Sequence, residues 1–117
     1  MAKQTRKQNN IKHGTIELVL LLLLQSGKKY GYQLAQELTE YSGGDYELKE
    51  ATMYPTLYRL SQNGFLDFEQ VKVGERRTRV YYSITSSGQE YLNKLLSEYN
   101  TIIGAIDKII SCTTEKN

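Results

Sequence analysis

The sequence predicts a mainly α-helical fold with a small β-hairpin and one long C-terminal helix. Three observations carry this. Apolar residues recur at helical spacing in three segments of the first half, two short alternating segments then flank a glycine-containing turn, and a regular apolar repeat runs from Leu92 to Ile110. With 117 residues, 39% apolar and 24% charged, the chain has the make-up of one small soluble domain.

The first ten residues, MAKQTRKQNN, are polar without a period and read as a mobile basic arm. Ile11 to Gln25 reads as a helix, stopped by Gly27. Its second half is apolar on every face, the mark of a helix covered on several sides. Tyr32 to Tyr41 reads as a second helix, with Leu34, Ala35 and Leu38 on one face. Ser42 to Asp45 is a loop by composition, and Glu47 to Lys49 a short extended piece.

A third helix runs from about Ala51 to Asn63, with Met53, Leu57 and Leu60 on one side and Gly64 as its stop. Proline deep in a helix costs about 3 kcal/mol, because it lacks an N–H and clashes with the preceding turn. A start near Ala51 or Thr52 would place Pro55 in the first turn, where N–H groups have no helical partner.

Phe65 to Val73 and Thr78 to Ile84 read as the two strands of a hairpin, with Gly74, Glu75, Arg76 and Arg77 between them. Thr85, Ser86 and Ser87 are N-cap candidates for the long helix, which runs to about Ser111, and Ser86-x-x-Gln89 and Ser87-x-x-Glu90 both fit a capping box. Written as heptads, Leu92, Tyr99 and Ile106 share one position. Leu95, Ile102 and Ile109 fall three residues later, and Leu96, Ile103 and Ile110 one later again. Such a stripe on so small a chain marks an interface. The apolar first helix, with Leu20 and Leu24, is the surface expected to receive a partner's long helix.

Several classes of function fall away. The longest apolar run, Leu18 to Leu24, is seven residues, against the roughly 20 of a membrane span. No secretory cleavage pattern follows the N-terminal basic residues, and the lone Cys112 cannot form an internal disulfide, so a cytoplasmic location is expected. His13 is the only histidine, and no nucleophile–base arrangement can be assembled around it or Cys112. Neither residue sits at metal-ligand spacing with a carboxylate. Gly43-Gly44 lacks the strand–loop–helix setting of a phosphate loop. No catalytic residue, metal or cofactor is expected.

The formal charge of +2 hides a strong asymmetry. Lys3, Arg6, Lys7 and Lys12 give +4 over residues 1–16, which hold no acid. Lys72, Arg76, Arg77 and Arg79 against Glu75 give +3 over residues 72–79, which leaves −5 on the rest. Two separated basic segments on an acidic body point to a polyanionic partner.

Three helices followed by a hairpin is the element order of a winged helix-turn-helix. Its third helix is the one that enters the DNA major groove. Opposite Met53, Leu57 and Leu60 that helix presents Ala51, Thr52, Pro55, Tyr58, Arg59 and Gln62, with Tyr54 at the edge. The expected DNA-contacting set is Thr52, Tyr54, Pro55, Tyr58 and Arg59 on the helix and Lys72, Arg76, Arg77 and Arg79 on the wing. Lys3, Arg6 and Lys7 on the arm and Tyr30 at the entry to the second helix complete it. The competing reading is a winged-helix protein-interaction module without sequence-specific DNA binding.

The stretches KEATMYPTLYRLSQNGFL and ERRTRVYYSITSSGQEYL, together with GYQLAQEL, closely resemble the PadR family of bacterial transcriptional regulators, over about residues 14 to 110. Val80 stands where the family's wing often carries a basic residue. The resemblance implies a homodimeric winged-helix repressor of the small subclass, in which a single C-terminal helix dimerises. It implies a palindromic operator at the chain's own promoter or at a detoxification or transport gene, and in some members a phenolic or flat hydrophobic effector. Tyr99 occupies the position of an aromatic residue that stacks on ligand at the dimer centre of drug-responsive members, where tryptophan is more frequent. Leu95, Tyr99, Ile102 and Ile103 are therefore either an effector floor or plain dimer packing. The expected division is a basic arm at 1–10, a DNA-binding domain at 11–84 and a dimerisation helix at 85–117. The dimer contacts would be Leu20, Leu24, Leu92, Leu95, Leu96, Tyr99, Ile102, Ile103, Ile106, Ile109 and Ile110.

Overall fold

A computed structural model of the chain describes residues 10–115. A helical turn at residues 10–13 precedes helix α1 (Ile16–Leu24). The single helix expected from Ile11 is thus broken at Gly14 and Thr15. The Thr15 hydroxyl donates to the Lys12 carbonyl at 2.7 Å and pairs with the Tyr46 hydroxyl at 2.8 Å, offering the backbone a local alternative to the helix.

Strand β1 (Lys29–Tyr30) leads directly into α2 (Gly31–Tyr41). Helix α3 (Glu50–Gln62) follows, then strands β2 (Leu66–Lys72) and β3 (Thr78–Ile84), and finally α4 (Ser86–Glu115). The sheet is antiparallel in the order β1-β3-β2, so the wing has a third strand beyond the predicted hairpin. At two residues, β1 is too short to show an alternating pattern. Lys29 Nζ lies 3.1 Å from Glu37 Oε1, and this largely buried ion pair fastens β1 to α2.

Helix α1 is central, touching α2, α3, α4 and β3. Leu20, Leu21 and Leu24 of α1 meet Leu34, Met53, Leu57, Leu60 and Leu92 in a fully buried cluster. Three expected dimer contacts are corrected here. Leu20, Leu24 and Leu92 are at most 1% exposed within a single chain, so no surface remains on them for a partner. Leu95 and Leu96 also pack partly against this core, which therefore runs across the 84/85 junction. From Tyr99 onward the 30-residue helix, about 45 Å long at 1.5 Å per residue, has left the core.

Of the three N-cap candidates, Thr85 is the one that caps α4. Its Oγ1 accepts the Gly88 N–H at 3.0 Å and donates to the Gly64 carbonyl at 2.7 Å. A Cβ on Gly88 would overlap the carbonyl oxygen of Phe65, so glycine lets α4 pass close to the base of the hairpin.

Candidate nucleic-acid interface

Helix α3 buries Met53, Thr56, Leu57 and Leu60 and turns Ala51, Thr52, Tyr54, Pro55, Tyr58, Arg59 and Gln62 outward. The helix starts at Glu50, so Pro55 is its sixth residue, one or two residues deeper than predicted and past the first turn. The carbonyl that loses its i+4 donor belongs to Ala51, which is exposed and open to water.

The wing and α3 enclose a groove of about 720 Å³. Tyr54 of α3 forms one wall, and Arg77, Thr78, Arg79, Val80 and Tyr82 of the wing form the other. Tyr30, Gly31 and Tyr32 close the floor at the β1–α2 junction. Every polar side chain in this set is a hydroxyl or a guanidinium, and none is acidic. Burial pushes the Tyr54 hydroxyl above its ordinary range, as does the nearby Glu50 charge. Tyr82 is raised likewise, first by burial and then by Tyr54. Both stay protonated donors at neutral pH.

Gly31 sets the depth of the groove. A Cβ there would overlap the ring and hydroxyl of Tyr54. At the edge of the groove, the Arg79 guanidinium lies over the Tyr30 ring at 4.2 Å, and that ring meets Tyr81 edge-on at 5.4 Å. Lys28 approaches the other side of the ladder, 5.7 Å from the Tyr81 ring, and pairs with Glu69 at 3.0 Å.

The predicted residues do not all converge. Tyr30, Tyr54, Arg77 and Arg79 line the groove, whereas Thr52, Pro55 and Tyr58 are exposed on the outward face of α3. Lys72 and Arg76 are exposed on the wing. Arg59 turns toward α1, with Nε 3.4 Å from Glu17 Oε2, and is not part of the groove. Lys12 is bound to the Glu47 carbonyl at 2.7 Å, and Lys3, Arg6 and Lys7 lie outside the described residues. Sequence reasoning missed Gly31, Tyr32, Thr78 and Tyr82. The Tyr30-Gly31-Tyr32 triplet was the available signal, a small residue between two aromatics at a helix start.

On α4, Tyr99, Ile102, Ile103, Ile106, Ile109 and Ile110 are 39–60% exposed and form one apolar stripe. Of the candidate effector residues, Leu95 is half-buried on the core while Tyr99, Ile102 and Ile103 lie open on this stripe.

Residues 19–94 match the model of the transcriptional regulator PadR-like family. The chain belongs to the PadR-like family. An uncharacterised protein of Lysinibacillus sphaericus is 30% identical over 100 residues, covering 86% of this chain and 92% of its own. The negative transcriptional regulator PadR of Bacillus subtilis is 28% identical over 74% of this chain, but the match spans only 48% of that longer protein. The crystal structure of Bacillus subtilis PadR in complex with operator DNA aligns with a TM-score of 0.64 at 29% identity, covering 68% of this chain and 45% of that one. A transcriptional regulator from Clostridium thermocellum aligns over 85% of this chain and 96% of its own, with a TM-score of 0.78 and 29% identity.

This PadR-family chain is therefore a transcriptional regulator, in a family of regulators rather than enzymes. The family match holds the groove, the wing and most of the core, and it stops at residue 94. The exposed stripe from Tyr99 lies beyond it. No helix among the described residues is long and apolar enough to cross a membrane.

Proposed function

We propose that this PadR-family protein is a homodimeric, sequence-specific DNA-binding repressor acting in the cytoplasm. It controls its own promoter or that of a neighbouring detoxification or transport gene. The observation that carries this is the groove between α3 and the wing, lined by two arginines and four tyrosines without an acid. Such a surface suits a phosphodiester backbone, while the exposed hydroxyls and ring of α3 suit base edges and thymine methyls. The Bacillus subtilis relative, solved with operator DNA and described as a negative regulator, supports both the ligand and the sign of regulation.

The exposed stripe of α4 supports the dimer. Six large apolar side chains on one helix face would be removed from water by a second copy of the same helix. A two-fold axis through that face would set the two α3 helices roughly 34–36 Å apart and require a palindromic site. Tyr99, with Leu95, Ile102 and Ile103, would lie near the axis as the floor for a small aromatic or hydrophobic effector that relieves repression.

The test is binding to the DNA upstream of the protein's own gene, against a scrambled duplex, across a salt series. The proposal requires preference for the native sequence and a steep loss of affinity with salt. Equal binding to both duplexes, or none, would leave the protein-interaction module as the better reading.

A further inference from the structure

We propose that Tyr30 is a positioning residue for DNA binding, holding Arg79 ready at the rim of the groove as a phosphate clamp. The inference rests on the DNA-binding reading and concerns how one contact is prepared before DNA arrives. An arginine on a narrow wing is normally free to sample many rotamers, and ordering it on binding takes entropy from the affinity. Here the guanidinium already lies 4.2 Å above the Tyr30 ring. Contact with one ring face leaves the guanidinium N–H donors that point away from the ring free for a phosphate, which arginine can take in a bidentate contact.

Two further observations set Arg79 apart from its neighbours. The ring beneath it is held by Tyr81, through both backbone and side chain. Tyr30 pairs with Tyr81 in the β1–β3 register, and its ring rests against the Tyr81 ring at 69°. The cation at the other end of the ladder is already engaged, because Lys28 is paired with Glu69 at 3.0 Å. Arg79 forms no ion pair with any described residue, and it lines the groove together with Tyr30. The ladder therefore presents one cation neutralised within the chain and one held open for an anion from outside.

The experiment uses the full chain and a mixed-sequence 30-base-pair duplex, because a phosphate contact needs no operator. Affinity is measured for the unaltered protein and for Tyr30→Leu, Tyr30→Phe, Arg79→Lys, Arg79→Ala and the Tyr30→Leu/Arg79→Ala pair. Tyr30→Leu should weaken binding about two- to five-fold, the scale of an exposed cation–π contact. Tyr30→Phe keeps the ring under Arg79 and should bind more tightly than Tyr30→Leu, any remaining loss measuring the hydroxyl's own contact. Arg79→Lys keeps the charge but loses planar stacking and should be weakened several-fold. With Arg79→Ala already present, Tyr30→Leu should change nothing more.

A second readout needs no DNA. The Arg79 side-chain protons nearest the ring should be shifted upfield in proton NMR and return to ordinary values in Tyr30→Leu. An equal loss from Tyr30→Leu with and without Arg79, an unaffected Tyr30→Leu, or an absent ring shift would each overturn the inference while leaving DNA binding intact. An unaltered protein that ignores the duplex would overturn the DNA-binding reading itself, and this inference with it.

Discussion

The Tyr91 hydroxyl donates to Oε1 of Glu17 at 2.5 Å, joining residues 74 positions apart. Glu17 Oε2 meets Arg59 Nε at 3.4 Å, so one carboxylate ties together α1, α3 and α4. The α3 helix is thereby connected, through a single side chain, to the helix that carries the exposed stripe.

Removing that hydroxyl should loosen the connection. Tyr91→Phe should lower stability by about 1.5 kcal/mol, the low end for a hydrogen bond to a charged group, because the site is partly exposed. Tyr91 is pushed up to about 12, chiefly by the bond to Glu17, then by burial and by the charges of Glu17 and Glu98, with Arg59 pulling the other way. An unfolded tyrosine releases its proton near pH 10. The folded state holds it longer, so the contribution is complete below pH 10 and lost as pH rises from about 10 to 12. Denaturant unfolding measured across this window should show the unaltered protein losing stability faster than Tyr91→Phe. Parallel curves would refute it.

Arg76 and Arg77 lie at the exposed tip of the wing. If each meets a phosphate, replacing either by alanine should lower the slope of log affinity against log salt by about 0.9 per protomer. The loss should be the same on native and scrambled duplexes, because a phosphate carries no sequence. A titration that gives an unchanged slope would move these arginines off the DNA.

The two close-approach glycines should fail in different ways. An alanine at a helix start ordinarily stabilises by restricting the unfolded chain. Gly31→Ala would instead collide with the Tyr54 side chain, which has an exposed edge and can swing away. Its fold should survive while DNA affinity falls roughly three- to ten-fold, or about 0.7–1.4 kcal/mol. Gly88→Ala meets backbone at Phe65, which cannot swing, and should lower unfolding stability by about 1–3 kcal/mol. Thermal melts and anisotropy titrations on both variants separate the two effects, and a Gly88→Ala protein as stable as the parent would contradict the packing at Phe65.

Most elements, though not the two-residue β1, were legible in the sequence because periodicity and punctuation are local. The apolar face of α3, the bounds of β3 and the stops at Gly27 and Gly64 follow from spacing and from glycine, which takes φ +143° and +81° at those two positions. What covers an apolar face is not local. Leu92 and Ile106 share a heptad position, yet Leu92 is fully buried by α1 and Ile106 is 45% exposed. Glu17 carries no local signal, because its partners lie 42 and 74 residues away. The groove was half legible for the same reason. Its arginines announce themselves as a charge cluster, but Gly31 matters only because Tyr54 folds over it.

The burial pattern also sharpens what disrupting the stripe should do. Ile102 and Ile106 lie beyond the last core residues of α4, Leu92, Leu95 and Leu96. Aspartate at either position places a charge in the proposed interface without touching the single-chain core. Ile102→Asp and Ile106→Asp should therefore give a folded monomer in sedimentation, with melting still cooperative and circular dichroism still helical. DNA affinity should fall by at least ten-fold, since a monomer engages one half-site and forfeits the linked second contact. An intact dimer in either variant would show that the stripe serves something other than a second copy of this chain.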